Sequence, residues 1–299
     1  MIVDTVLDMV GNTPSVRLAD ALGTDRIHMK LEGANPTGSV KDRACVAMLN
    51  DVVARGAFEP GMRLLDASSG NMACAIAFFG RLLDMPVTIV SSSKLTAEKH
   101  GFLRYMGADV ELVGNFTIDG NRHCHALVER NPDRYCFLDQ LHNWKNPEAH
   151  YATTGPELLR EFPSLGAVVG SLGSGGTMAG VAKFLREHSP ATRVITVEAA
   201  SGTKIPGTGS FLDGDYVTPF MRGAFDEGLF NDQVAVTEAD AYRWTQWLTG
   251  RGVFGGVQTG GLLAALEQRG VTDIDGPIVA ISGDSGWKNL EKLIALQHA

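Results

Sequence analysis

Short β-branched runs alternate with helix-forming stretches along nearly the whole chain, and this alternation limits the fold more than any other feature. The expected strands are 26–31, 63–67, 86–91, 109–114, 134–139, 166–171, 192–199 and 277–282. Helical patterns near 41–54, 71–84, 95–106, 118–130, 147–161, 176–188, 237–250 and 260–269 separate them. Strand–helix alternation at this spacing predicts parallel sheets with helices on both faces. The number of strands predicts an α/β chain of two lobes, each with a mostly parallel, twisted sheet. In such sheets ligands sit beyond the carboxyl ends of the strands. The Gly-rich, weakly periodic stretch 201–235 reads as a long functional loop or an active-site wall.

Composition excludes several partners. With 34 acidic against 26 basic residues and no concentrated Lys/Arg stretch, nucleic acid and anionic membrane surfaces are poor partners. The start of the chain has no cationic segment before an apolar one, and no apolar run is long enough to span a bilayer. A cytoplasmic protein is expected. Cys45, Cys74, Cys124 and Cys136 have no CxxC spacing and are expected to be reduced core residues. No metal ligand set is read from the sequence.

Three constellations carry chemistry. In "VVGSLGSGGTMAG" (168–180) a β-branched strand runs through Gly173, Ser174, Gly175, Gly176 and Thr177 into a helix. Glycines let backbone N–H groups turn toward an anion, hydroxyls add donors, and the helix N-terminus adds a favourable dipole. The stretch is neither GxxxxGK[ST] nor GxGxxG, so the expected occupant is a phosphate outside those nucleotide motifs. In "DASSGNMA" (66–73), Ser68, Ser69, Gly70 and Asn71 present donors at a helix start, suited to a carboxylate or a ring oxygen. The third is Lys41, behind "GANPTGSV" and at the first turn of a helix. There the helix dipole opposes the ammonium and favours the neutral, nucleophilic amine. Taken alone, a solvated lysine paired with Asp42 explains it as well. Together, a phosphate cup, a polar loop and a prepared lysine meet the three needs of pyridoxal phosphate.

Several further motifs stand in one order: "GNTP" (11–14), "KLEGANPTGSVKDR" (30–43), "SSGN" (68–71), "DQLHNWKNPEAHYATTGPE" (139–157), "GSLGSGGTMAG" (170–180), "IPGTG" (205–209) and "SGDSGWKNL" (282–290). With them the chain resembles, over nearly its whole length, the fold type II pyridoxal-phosphate enzymes of the cysteine synthase and cystathionine β-synthase family. The resemblance implies residues 36–145 as a smaller mobile lobe. It assigns 1–35 together with 146–299 to a larger lobe carrying the phosphate cup, with the cofactor between them. Lys41 would form the Schiff base and move the substrate's α-proton. Asn71 would bond the cofactor's ring oxygen, and Gly173, Ser174, Gly175, Gly176 and Thr177 would hold its phosphate. Ser68, Ser69 and Gln140 would take the substrate's α-carboxylate. A homodimer is implied too. The implied reaction is β-replacement on an O-activated L-serine, O-acetylserine or O-phosphoserine, through an aminoacrylate. Sulfide giving L-cysteine is the leading reading. The alternative is another nucleophile: an amine giving a 2,3-diaminopropionate-type product, or homocysteine giving cystathionine.

The chain departs from the family pattern at three places. Met72 stands where the asparagine loop usually has a hydroxyl, removing a carboxylate contact. Gln258 in "FGGVQTGG" stands where cysteine synthases commonly place a serine against the pyridine nitrogen. Its amide can donate there as a hydroxyl does, and Thr259 takes the role if the loop shifts by one. His142, Trp144 and Lys145 are unusual beside a substrate entrance, and Arg222 is a further charged candidate; for all four, ordinary surface placement is the competing account. Two readings from other classes stay open: a non-catalytic relative that keeps the fold, and a phosphate-binding α/β enzyme without pyridoxal phosphate. If Lys41 is not the reactive lysine, Lys30 is the nearest alternative.

Overall fold

The computed structural model describes residues 3–297. Among the described residues the strands are β1 Ser15–Arg17, β2 Ile27–Leu31, β3 Arg63–Ala67, β4 Val87–Ser91, β5 Asp109–Leu112, β6 Tyr135–Phe137, β7 Ala167–Ser171, β8 Arg193–Ala199, β9 Asp232–Val236 and β10 Ile278–Ser282. The chain divides into two compact units. Residues Lys41–Asn146 form the smaller; residues up to Val40 and from Pro147 onward form the larger. No helix among the described residues is long and apolar enough to cross a membrane.

The smaller unit holds a parallel sheet in the order β5-β4-β3-β6. β4 is buried along its whole length, as a strand covered on both faces must be. Leu65, Ala67, Val90, Cys124 and Tyr135 form the core between this sheet and the helix Thr117–Arg130. Each fully buried Leu or Val there contributes roughly 1.5–3 kcal/mol, enough to fix which face each strand turns inward. Strand order reverses at β3, because β4 and β5 extend to one side and β6 returns to the other. The carboxyl ends of β3 and β6 therefore flank a topological switch point, where open α/β sheets bind ligands.

The larger unit holds the order β1-β2-β10-β7-β8-β9, parallel except for the antiparallel β1–β2 edge. The order here reverses at β7, with β8 and β9 on one side and β10 on the other. β10 is buried throughout, and β7 is buried except at its last residue, Ser171.

The eight expected strands and eight helical regions all contain regular structure, with three differences. The expected helix 147–161 is two helices, Lys145–Ala152 and Thr154–Glu161, separated at Thr153, whose ψ of -64 at φ -124 breaks the run. Stretch 201–235 is not one long loop. It contains the helix Pro219–Asp226 and most of β9. The helix forms because Thr218 caps it, Pro219 presets its first turn, and Phe220, Met221 and Ala224 turn one apolar face inward. β1 and the C-terminal helix Leu290–Gln297 were not anticipated; β1 is only three residues long and shows no period.

Candidate active site

In the larger unit, the carboxyl end of β7 runs directly into the Gly173–Thr177 loop and then into the helix Gly176–His188. This is the switch point between β7 and β10. The loop needs its glycines. Gly175 caps the helix in the left-handed region, φ 82, and a Cβ there would fall 1.9 Å from Met221 Cγ. At Gly173 a Cβ would fall 2.6 Å from the Gly207 carbonyl oxygen, a backbone atom that cannot swing aside. The strand–loop junction is pinned by the Gly209 N–H donating to the Leu172 carbonyl at 2.7 Å. The Thr218 hydroxyl donates to the Ser174 carbonyl at 2.9 Å. Bare backbone at a helix N-terminus, held by its neighbours, is the donor set that a phosphate dianion takes.

Two features of this loop were not singled out from sequence. Thr208, inside "IPGTG", has its hydroxyl buried with no hydrogen-bond partner among the described residues. An orphaned buried donor beside a Gly-rich anion loop fits a phosphate oxygen. His150 is fully buried, with Nδ1 2.9 Å from the Thr154 hydroxyl and Nε2 3.2 Å from the Thr177 hydroxyl. It orients the last hydroxyl of the cup from the far end of the "DQLHNWKNPEAH" motif, so its sequence signal lay inside a quoted motif.

Gln258 is 6 % exposed and lies in the first turn of the helix Val257–Arg269. Its Oε1 accepts from the Ser171 hydroxyl at 2.8 Å. Gly207 and Gly283 leave the space its amide occupies, since a Cβ on either would fall 2.9 Å from an amide atom. With Oε1 engaged, the –NH2 end is the group left to donate. Thr259 instead exchanges a buried hydrogen bond with Ser282 at 2.9 Å. Of the two, the Gln258 –NH2 end is the donor that these bonds leave over. These residues fit a phosphorylated pyridine: an anion loop, an orphaned hydroxyl and an amide donor all belong to the larger unit.

Lys30 is fully buried in this unit. Its Nζ lies 3.0 Å from Glu157 Oε2 and 2.9 Å from Glu161 Oε1, and it donates to the Thr13 carbonyl at 3.0 Å. All three hydrogens are engaged, so Lys30 holds β2 to the helix Thr154–Glu161 and is not a nucleophile. Arg222 lies exposed on the helix Pro219–Asp226.

In the smaller unit, Lys41 is the first residue of the helix Lys41–Ala54 and is half-buried. That helix packs against the helix Asn71–Leu82, whose first residue is Asn71. Ser68 and Ser69 bridge β3 to Asn71, and the Ser68 hydroxyl accepts from the Gly70 N–H at 3.2 Å. Gln140, past the end of β6, is buried at 5 % exposure. Its Nε2 donates to the Ala67 carbonyl at 2.8 Å and its backbone N–H to Asp66 Oδ2 at 3.3 Å. The switch point thus brings Gln140 beside the Ser68–Asn71 loop. Met72 is buried at 1 % exposure and fills the interior of this unit. Trp144, in contrast, is exposed.

Burial pushes the Asp66 carboxyl well above its ordinary range, and the nearby Asp139 adds to this; N–H bonds from Ala67 and Gln140 oppose it. Burial likewise raises the thiols of Cys45, Cys124 and Cys136. All four cysteines are buried and free, as expected, and raised thiols are poor nucleophiles.

Comparison with known proteins supplies the family. Residues 6–284 match the family described as "Pyridoxal-phosphate dependent enzyme". The chain is 33% identical over 292 residues to cysteine synthase B of Escherichia coli (strain K12), covering 96% of this chain and 94% of that one. It is 32% identical over 303 residues to cysteine synthase of Aquifex aeolicus (strain VF5), covering 96% and 90%. Among solved structures, that of O-ureido-L-serine synthase superposes with a TM-score of 0.87 at 26% identity, covering 97% of this chain and 94% of that one. A hydrogen sulfide-producing enzyme from Fusobacterium nucleatum superposes with a TM-score of 0.86 at 28% identity, covering 96% and 98%.

Proposed function

The chain belongs to the family of pyridoxal-phosphate dependent enzymes, and we propose that it catalyses β-replacement on an O-activated L-serine, with sulfide as nucleophile and L-cysteine as product. The observation that carries the cofactor assignment is the Gly173–Thr177 loop, in which Gly173 and Gly175 admit no Cβ and whose neighbour Thr208 keeps an unspent buried hydroxyl. Similarity to cysteine synthases supports the reaction.

When bound, pyridoxal phosphate supplies an electron sink for the carbanion formed at the substrate's α-carbon. Backbone N–H groups of Gly173, Ser174, Gly175 and Gly176 and the Thr177 hydroxyl hold the phosphate, with His150 setting the Thr177 rotamer. The Gln258 amide would donate to the ring nitrogen. An uncharged amide there would donate to an unprotonated nitrogen, much as a hydroxyl would. Asn71 bonds the ring oxygen. Lys41 would hold the cofactor covalently, and its amine would carry the substrate's α-proton. Ser68, Ser69 and the remaining Nε2 hydrogen of Gln140 take the α-carboxylate, and this fixes the α-C–H bond for proton transfer. The protein works as a cytoplasmic homodimer; light scattering on the purified chain checks the dimer.

The test is the visible spectrum of the purified protein, recorded before and after O-acetylserine and then O-phosphoserine. One of them displaces the cofactor band, and sulfide restores it with release of cysteine. A protein with no cofactor band after added pyridoxal phosphate contradicts the proposal. Similarity to O-ureido-L-serine synthase favours a second reading in which another nucleophile replaces sulfide. In that case sulfide leaves the displaced band unchanged, and an amine or homocysteine restores it.

A further inference from the structure

The smaller unit carries a side-chain cluster that the reaction does not use. His125, Asp139 and His142 bring one ligand atom each within 4.8 Å of one another. They come from separate places in the chain. His125 lies on the helix Thr117–Arg130, and Asp139 and His142 lie in the turn after β6. Both oxygens of one carboxylate are engaged: Asp139 Oδ1 lies 2.9 Å from His142 Nδ1, and Oδ2 lies 3.4 Å from His125 Nε2.

We propose that His125, Asp139 and His142 form a binding site for a divalent transition metal ion of the zinc class. Two imidazoles and a carboxylate are the donors such ions prefer over hard cations, and three protein ligands leave one position for water. The spacing agrees. Ligand atoms at about 2.0–2.1 Å from a tetrahedral ion stand roughly 3.3–3.4 Å apart, and here the Asp139 carboxylate stands 2.9 and 3.4 Å from the two histidines, with all three ligand atoms within 4.8 Å. His125 is the most exposed of the three, at 51%, which leaves the site open to solvent on that side.

The surroundings are also those of a metal site. Asn121, one helical turn before His125, donates from Nδ2 to Asp139 Oδ1 at 2.8 Å and so orients the carboxylate. The His125 ring packs edge-on against Phe137 at 5.0 Å. Asp139 itself sits at φ 53, and its carbonyl accepts the N–H groups of His142 and Asn143 at 2.9 and 2.8 Å. That turn holds the His142 ring beside the Asp139 carboxylate. An ion here would join the helix to the turn that carries Gln140.

The experiment is calorimetric titration of the cofactor-loaded, full-length protein with zinc, repeated in excess magnesium. One equivalent binds per chain, magnesium does not compete, and the thermal midpoint rises with zinc concentration. His142→Ala and Asp139→Asn each lose that equivalent; asparagine tolerates the same positive φ, so the turn is kept. Asn121→Ala weakens binding about 10–100-fold. His123→Ala, on the same helix, removes the pair with Glu111 of β5 and leaves binding unchanged. Unchanged cofactor absorbance shows that each variant is folded, and should one unfold, the other ligand variant decides. Failure of the wild type to bind an equivalent overturns the proposal. So does an equivalent that survives both ligand variants, or one that disappears in His123→Ala.

Discussion

In the larger unit the buried Lys30 ammonium is surrounded by Glu157, Glu161 and the Thr13 carbonyl, whereas in the smaller unit the buried Asp66 carboxyl is met by the N–H groups of Ala67 and Gln140. Both are buried ionisable groups beside a sheet, yet the solutions differ. The first is a charge balanced by opposite charge, which holds a strand to a helix. The second is a carboxyl that burial pushes well above its ordinary range and that accepts backbone N–H groups, and it lies under the residues assigned to the substrate. The loops differ in the same way. The Gly173–Thr177 loop is shaped by missing side chains and held by Gly207, Thr218 and His150, so it is a rigid holder. The Ser68–Asn71 loop and Lys41 instead present side-chain donors and acceptors. The proposed function gives the phosphate to the first loop and the proton transfer to Lys41.

The strongest way to break this division is at Lys41. Lys41→Ala should lower turnover by at least about 10²–10⁴-fold, the contribution of a positioned acid–base group. Steady-state kinetics should show this while the phosphate loop still binds cofactor. A variant with near-normal turnover would remove the chemistry from the smaller unit. On the holder side, Gly175→Ala forces a left-handed φ on alanine and places its Cβ against Met221. Cofactor affinity should collapse, with a stability loss of at least about 1–2 kcal/mol from the backbone alone, read by equilibrium dialysis and thermal melting.

Lys30→Met separates structure from catalysis. It should cost about 3 kcal/mol by leaving Glu157 buried beside Glu161 without their cation, measured by denaturant unfolding. The spectrum of the covalently bound cofactor should persist. Gln258→Ala is gentler. It should shift the visible band and lower turnover roughly tenfold, the effect of about one hydrogen bond.

The smallest effect concerns Asp66. A carboxyl whose pKa is raised on folding binds more protons folded than unfolded, so its contribution is complete below the unfolded value, about 4. Stability falls as pH rises through the raised folded value. Asp66→Asn should flatten that decline in denaturant curves taken across this range. An unchanged slope would mean that Asp66 is charged and paired after all.

How far the sequence could be read follows from the same physics. Strands buried on both faces, such as "VTIVS" and "PIVAIS", announce themselves as unbroken apolar runs. The Gly-rich loops were legible because glycine is selected by local backbone needs. β1 was not, since three residues on a sheet edge carry no period, and the helix Pro219–Asp226 was hidden among glycines despite its Thr-Pro start. Lys30 and Lys41 look alike in sequence as lysines beside turn-rich segments. Only the placement of Glu157 and Glu161, more than a hundred residues away, engages the first. His150 and Thr208 escaped notice for a similar reason: their roles are set by neighbours brought in by the fold. The cluster of His125, Asp139 and His142 has no metal-motif spacing and exists only once a helix meets the turn after β6.

The measurement that tests the central claim most directly is to trap the covalently bound cofactor by borohydride reduction of the native protein and to locate it by peptide mass mapping. The account predicts one cofactor mass per chain, on the peptide carrying Lys41. A label on Lys30 or any other lysine, or no label in protein that contains the cofactor, would contradict it.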